Sequence, residues 1–312
     1  MPVEHRPSEE KRELPKVERI TIADLAPEMP EIDGTAIILQ RNAKDNRDPQ
    51  SPLEMGALIP DAARAVERHT RESIDRMLRA LPPEERGAVD FLVVAADTML
   101  DTPIPGVKSH QKRAVATAAH VLAGIQASMT EYGLTPTQLL NKTGKPVELS
   151  SGKLRDLRMF EDTPEFVRFL TEKYGTGQAF WAAFENDDER AVREQMGAEG
   201  PDDIARRVEH YIALLMRAMT SYHHAHPERR VIVWAVSHYD TISPYVKKSI
   251  VGMEKTDYLP VDQGAGIVIT VKQNETASTK IQGKMYPMTV SAEQPATRHT
   301  DAPTQLPPRP QT

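Results

Sequence analysis

The sequence predicts an α/β fold of three layers, in which a mostly parallel central sheet lies between helices and a hairpin closes the C-terminal end. Two observations carry this expectation. Short apolar runs alternate with long amphipathic stretches through the middle of the chain, and the clearest run, Val231-Ile-Val-Trp-Ala-Val236, is apolar throughout, as a strand buried on both faces must be.

In order along the chain, Thr35-Ala-Ile-Ile-Leu-Gln40 follows the turn pair Asp33-Gly34 and reads as the first buried strand. A helix is expected over 61–81, where Ala63, Val66, Ile74, Met77, Leu78 and Leu81 mostly share one face and Pro82-Pro83 forbids continuation. Residues 88–96 form the second strand, followed by a Pro- and Gly-containing loop and a helix over 109–132 with Gly133 as its C-cap. Shorter helices are expected over 164–174 and 177–185. Ile204, Val208, Tyr211, Ile212, Leu215, Met219 and Tyr222 make an amphipathic stripe that ends near Pro227. After the strand 231–236, two more strands near 266–272 and 279–285 flank Asn274-Glu275 as a terminal hairpin.

The organisation expected is an N-terminal arm or irregular cover (1–33), one folded domain (34–290) and a disordered Pro-rich tail (291–312). The tail ends Leu306-Pro307-Pro308-Arg309-Pro310 and has too few apolar residues to join a core. It reads first as solvated chain and second as a polyproline II ligand for a protein partner. A formal charge of −6 without a basic cluster argues against nucleic acid or an anionic membrane surface as partner. With no cysteine there is no thiolate nucleophile, disulfide or Cys-ligated metal. The charged start lacks the apolar core of a secretion signal and no apolar run approaches bilayer length, so a cytoplasmic location is expected.

Three segments carry candidate chemistry: Gln40-Arg41-Asn42-Ala43-Lys44, Ser109-His-Gln-Lys-Arg113-Ala-Val-Ala-Thr117-Ala118, and Ser237-His238-Tyr239-Asp240-Thr241. In an open α/β sheet, loops at the carboxyl ends of strands converge on one crevice. Arg41, Arg113 and His238 would meet there. Two guanidinium groups and an imidazole suit a phosphate, whose oxygens accept charge-assisted, often bidentate hydrogen bonds.

In these motifs the sequence resembles the histidine phosphatase (phosphoglycerate-mutase-like) superfamily. Arg41-Asn42-Ala43 stands for its strand-ending Arg-His-Gly or Arg-His-Ala. Pro52-Leu53-Glu54-Met55-Gly56 stands for its Leu-Thr-x-x-Gly-type segment, residues 109–118 for its Ser-x-x-x-Arg-Ala-x-x-Thr-Ala helix, and Val236-Ser237-His238 for its second histidine motif. The resemblance spans about 210 residues in matching order. It implies a phosphoglycerate-mutase-like fold in which Arg41 and Arg113 hold phosphate oxygens, His238 stabilises the transferring phosphoryl group, and Arg47 or Asn46, in the loop after the first strand, reaches the ligand as well. It implies no cofactor and no metal. For the general acid it offers Asp156, in Leu154-Arg155-Asp156, with Glu161 and Asp162 close behind, or Asp240, two residues after the second histidine.

The departures are as informative. Asn42 occupies the nucleophile position, and an amide nitrogen, its lone pair delocalised into the carbonyl, cannot capture a phosphoryl group as imidazole does. Tyr239 replaces a glycine. Arg68-His69 does not restore the nucleophile, because it lies inside an expected helix. His223-His224-x-His226 fits favourable charge at a helix C-terminus better than a metal site, and Gly175-Thr-Gly177 and Gly264-Ala-Gly266 read as turns. The leading reading is a histidine-phosphatase-like protein that binds phosphate or a small phosphorylated ligand, with turnover impaired at Asn42. The alternatives are an active phosphomonoester phosphatase or mutase seen as a nucleophile variant, and a non-enzymatic interaction scaffold.

Overall fold

The computed structural model describes residues 17–48, 50–98, 111–149, 163–253, 258–272 and 276–288. Asp156, Glu161, Asp162, the pair Asn274-Glu275 and the expected tail fall outside these residues.

Strands β1 (Thr35–Arg41), β2 (Val89–Ala96) and β4 (Arg230–Ser237) form the centre of the sheet, with the short β3 (Val147–Leu149) beside β2. On the other flank lie β5 (Gly266–Val271), β6 (Ala277–Ile281) and β7 (Lys284–Met288). The order among the described residues is β3-β2-β4-β1-β5-β6-β7. The first four strands are mutually parallel, whereas β5, β6 and β7 extend the sheet antiparallel.

This order fixes the layers. From β1 the chain moves outward through α1 (Pro60–Arg79) to β2 and through α2 (Arg113–Glu131) to β3. It then returns through α3 (Pro164–Tyr174), α4 (Gln178–Asn186), α5 (Arg190–Gln195) and α6 (Pro201–Ala225) to insert β4 between β2 and β1. Right-handed crossovers, the general rule for parallel strands, put outward and returning connections on opposite faces of a sheet with this order. The helix α7 (Tyr239–Tyr245) leaves β4 and packs on α6.

The central strands match their sequence pattern. All of β4 is buried, with Trp234 fully enclosed and its indole N–H donating to Gln40 Oε1 at 2.7 Å. Two elements differ from expectation at the sheet edges. The run 279–285 is divided by a turn at Gln282-Gly283, both with positive φ, so the antiparallel flank gains a strand, β7. The three-residue β3 is too short and too exposed to show a periodicity. Within residues 17–33, Val17, Ile20 and Leu25 are buried in the core, and Ile20 bridges to Val261.

Helices α1 and α2 touch at Gly124, where a Cβ would lie 2.6 Å from the Glu67 carbonyl oxygen and 3.0 Å from Thr70 Cβ. Replacing a mid-helix glycine by alanine ordinarily stabilises by about 0.5–1 kcal/mol. Here overpacking, at about 1–3 kcal/mol, should win. Gly124→Ala is expected to lower the midpoint of chemical denaturation; an unchanged or raised midpoint would show that the two helices do not approach this closely.

Candidate functional site

The site is organised by the parallel pairing of β1 with β4. Their register sets Gln40 beside Val236 and Arg41 beside Ser237, and Asn42 continues it by donating its N–H to the Ser237 carbonyl at 2.8 Å. Asn42 and His238 therefore leave the sheet side by side. The turn at 262–265 clamps the same strand end from the other flank. Gly264 N–H donates to Asn42 O at 3.1 Å, Arg41 N–H donates to Ala265 O at 2.7 Å, and Gln40 Nε2 donates to Gly264 O at 2.8 Å. Gly264 has a φ of 79°, which suits glycine, and a Cβ on Gly266 would stand 2.1 Å from Leu39 O.

Asn42 is buried, and its Nδ2 donates to the Ala43 carbonyl at 2.9 Å. That bond turns Oδ1 toward His238 Nδ1, 3.2 Å away. Because an amide oxygen only accepts, the hydrogen belongs on Nδ1, and Nε2 keeps its lone pair. Nε2 is buried and has no hydrogen-bond partner among the described residues. Burial first, then the charges of Arg113, Arg41 and Arg47, hold His238 well below the ordinary histidine range, so the ring is neutral.

Arg113 is the first residue of α2 and is buried. One turn later, Thr117 Oγ1 donates to the Arg113 carbonyl at 2.9 Å and accepts the Ala43 N–H at 3.0 Å. The loop after β1 is thereby tied to the start of α2. This gives Thr117 and Ala118 of the Arg-Ala-x-x-Thr-Ala pattern physical roles, one as tether and one as a fully buried packing residue.

Sequence reasoning missed Asp45. Its carboxylate is fully buried, 3.8 Å from Arg113 Nη1 and 2.6 Å from Arg47 Nε, the latter an ion-pair contact not aligned as a hydrogen bond. An anion is thus built in among the guanidinium groups. The one signal available was an acid inside an otherwise cationic loop, Arg41 to Arg47. Asn46, by contrast, spends its side chain within that loop: Nδ2 donates to Leu53 O at 2.7 Å and Oδ1 accepts from Asp48 N–H at 3.1 Å.

Arg41 donates through Nη1 to Val261 O and lies 5.1 Å from the centre of the Tyr239 ring, while its buried Nε has no partner among the described residues. Burial lowers its pKa, offset by Tyr239 and reinforced by Arg113. Behind it is a closed network. Tyr239 OH donates to Glu185 and also lies 2.9 Å from Leu259 O; Ser243 Oγ donates to Glu185 Oε1 at 2.7 Å; Leu259 N–H donates to Oε2 at 3.1 Å. Lys247 Nζ stands 3.7 Å from the same carboxylate, both side chains being fully buried. Burial raises Glu185, against the pull of those donors. Tyr239, which stands where the resemblance expects a glycine, is therefore the platform on which Arg41 stacks.

Of the expected residues, Arg41, Asn42, Arg113 and His238 come together, with Arg47 at the rim through Asp45. Asp240 is fully buried at the second position of α7 and near enough to Arg41 to favour its charge; Asp156 lies outside the described residues. His69 is on α1 and contacts Leu25 O at 3.1 Å. His223 is tied to Thr35 Oγ1 at 2.9 Å and lies 3.5 Å from Asp33, at the opposite end of β1 from Asn42. No helix among the described residues is long and apolar enough to cross a membrane.

No family model and no curated protein sequence matches the chain. Solved structures similar to it include phosphoglycerate mutase from Bacillus anthracis, at 16% identity, covering 80% of this chain and 93% of that one with a TM-score of 0.40. A putative alpha-ribazole-5'-P phosphatase from Escherichia coli shares 16% identity over 79% of this chain and 96% of that one, TM-score 0.35. A mycobacterial glucosyl-3-phosphoglycerate phosphatase shares 14% identity over 79% and 97%, TM-score 0.37. At these scores the likeness carries no argument of its own; the fold rests on the strand order and connections above.

The neutral state of His238 has a consequence for stability. In an unfolded chain a histidine takes up its proton near pH 6.5, whereas His238 in the fold resists protonation until well below that. The unfolded state then binds more protons, so stability falls as pH drops from the unfolded value toward the folded one. His238→Gln is expected to flatten this part of the profile in denaturant titrations. Identical slopes for variant and parent between about pH 7 and 5 would mean that His238 is not held neutral.

Proposed function

We propose that this chain is a histidine-phosphatase-like protein that binds phosphate or a phosphomonoester where the ends of β1 and β4 meet the start of α2, and that its hydrolytic turnover through position 42 is impaired. The observation that carries the reading is the convergence of Arg41, Arg113 and His238 around Asn42 at the paired ends of β1 and β4. Their motif order in the sequence supports the same family. Arg113 and Arg41 supply fixed positive charge, and Asn42 supplies a hydrogen-bonding amide without a nucleophilic lone pair.

The bound anion competes with Asp45, which already neutralises part of the cationic cluster. Inorganic phosphate affinity, read by calorimetry, is expected to fall by roughly tenfold or more in Arg113→Ala, the loss of a hydrogen bond to a charged group. It should rise in Asp45→Ser, which removes the internal anion. Hydrolysis of a generic alkyl phosphate should stay near background. Family-scale hydrolysis by the unaltered chain, abolished in Arg41→Ala, would refute the impairment; phosphate binding indifferent to Arg113 and Asp45 would refute the pocket.

A further inference from the structure

We infer that His238, not residue 42, is the phosphoryl acceptor of this pocket, with Asn42 acting as the group that fixes its ring. The inference rests on the phosphate-binding reading above and extends it to a covalent step.

A nucleophilic imidazole needs a free lone pair on one nitrogen, a proton held on the other, and cationic groups where the phosphate oxygens will lie. His238 has each. The Asn42 amide is locked by its bond to Ala43 O, so the contact with His238 Nδ1 defines a single tautomer. The lone pair is then on Nε2, a buried atom with no partner among the described residues. A histidine serving packing alone would ordinarily satisfy that acceptor, since burying an unpaired polar atom costs about 1–3 kcal/mol. Nor is the surrounding charge that of a proton-binding site. Arg113, Arg41 and Arg47 all oppose protonation of the ring, which keeps the nucleophile in its reactive form and leaves guanidinium groups to attract the donor's oxygens.

The chemical class of donor follows from what the transfer asks of the leaving group. Leaving an oxygen ester would require an acid to protonate the departing alkoxide. A phosphoramidate carries that proton already on its nitrogen. The Nε2 lone pair forms the new N–P bond as the donor's P–N bond breaks, and the electron pair of that bond leaves on the amine, which departs neutral. The ring becomes a phosphoimidazolium, with its Nδ1 proton still shared with Asn42 Oδ1. Attack of water on phosphorus then releases phosphate and restores the ring.

The test incubates the full chain with phosphoramidate and follows phosphoryl incorporation by phosphorus NMR and by peptide mapping at alkaline pH, where phosphohistidine survives. Incorporation on Nε2 of His238 is expected. Asn42→Asp, which keeps an acceptor for Nδ1–H, should retain it, while Asn42→Leu should slow it by roughly tenfold or more, the scale of losing a group that fixes a ring's orientation. Binding of inorganic phosphate is measured in parallel on the unaltered chain. Phosphate binding without incorporation on His238, or incorporation only on another histidine, overturns the inference and leaves the pocket standing. Absence of both overturns the pocket and the inference with it.

Discussion

The whole candidate site depends on one backbone hydrogen bond, from Asn42 N–H to the Ser237 carbonyl, which carries the β1–β4 ladder one residue past the last pair of the register. Parallel strands present successive side chains in step, so this bond sets residue 42 directly beside residue 238 although 196 residues separate them. Without it the Asn42 amide and the His238 ring would have no common frame. Two further constraints protect it: the turn at Gly264 holds Asn42 O, and Thr117 holds Ala43 N–H. The strand end is thus pinned from β4, from the 262–265 turn and from α2. Backbone donors and acceptors do the positioning, which frees the side chains for chemistry.

Charge is the second organising feature. Arg41 and Arg113, with Arg47 half exposed at the rim, would repel one another where burial lowers the effective dielectric constant. Asp45 offsets this within the cluster, the Tyr239 ring offsets it at Arg41, and Asp240 lies close by. Tyr239 is in turn held by Glu185, so the chain of support runs from α4 through Tyr239 to Arg41. A buried carboxylate such as Glu185 is stable only because donors surround it, and α7, Lys247 and the Leu259 backbone all supply them.

Much of this was legible in the sequence, and the legible parts share a cause. The central strands are uniformly apolar because both faces are covered, and hydrophobic pattern placed the segments holding Arg41 and His238 where those strands stop, while the family resemblance singled out Asn42. Edge strands have no such pattern. Val147–Leu149 is largely exposed, and the turn at Gln282-Gly283 interrupts what reads as one continuous run. Asp45 was invisible for a different reason: its meaning comes from Arg113, 68 positions away, and no local spacing rule expresses that pairing. The turn at Gly264 was recognised as a turn, but its role needs the three-dimensional neighbour, the Asn42 carbonyl.

The role of Asn42 changes once its partner is considered. Read as a position in a motif, it is a histidine lost. Read as a side chain in a site, it makes two directed hydrogen bonds, one that fixes its own amide and one that fixes His238. A leucine of similar volume would fill the space but leave the imidazole free to exchange tautomers and to rotate. A second histidine there would compete for the same protons and the same guanidinium groups. An amide, which cannot ionise, gives the neighbouring ring a definite tautomer without adding charge to a cluster whose balance already depends on Asp45. On the proposed reading, the residue that stands where a nucleophile is expected is, by the same chemistry, suited to preparing another.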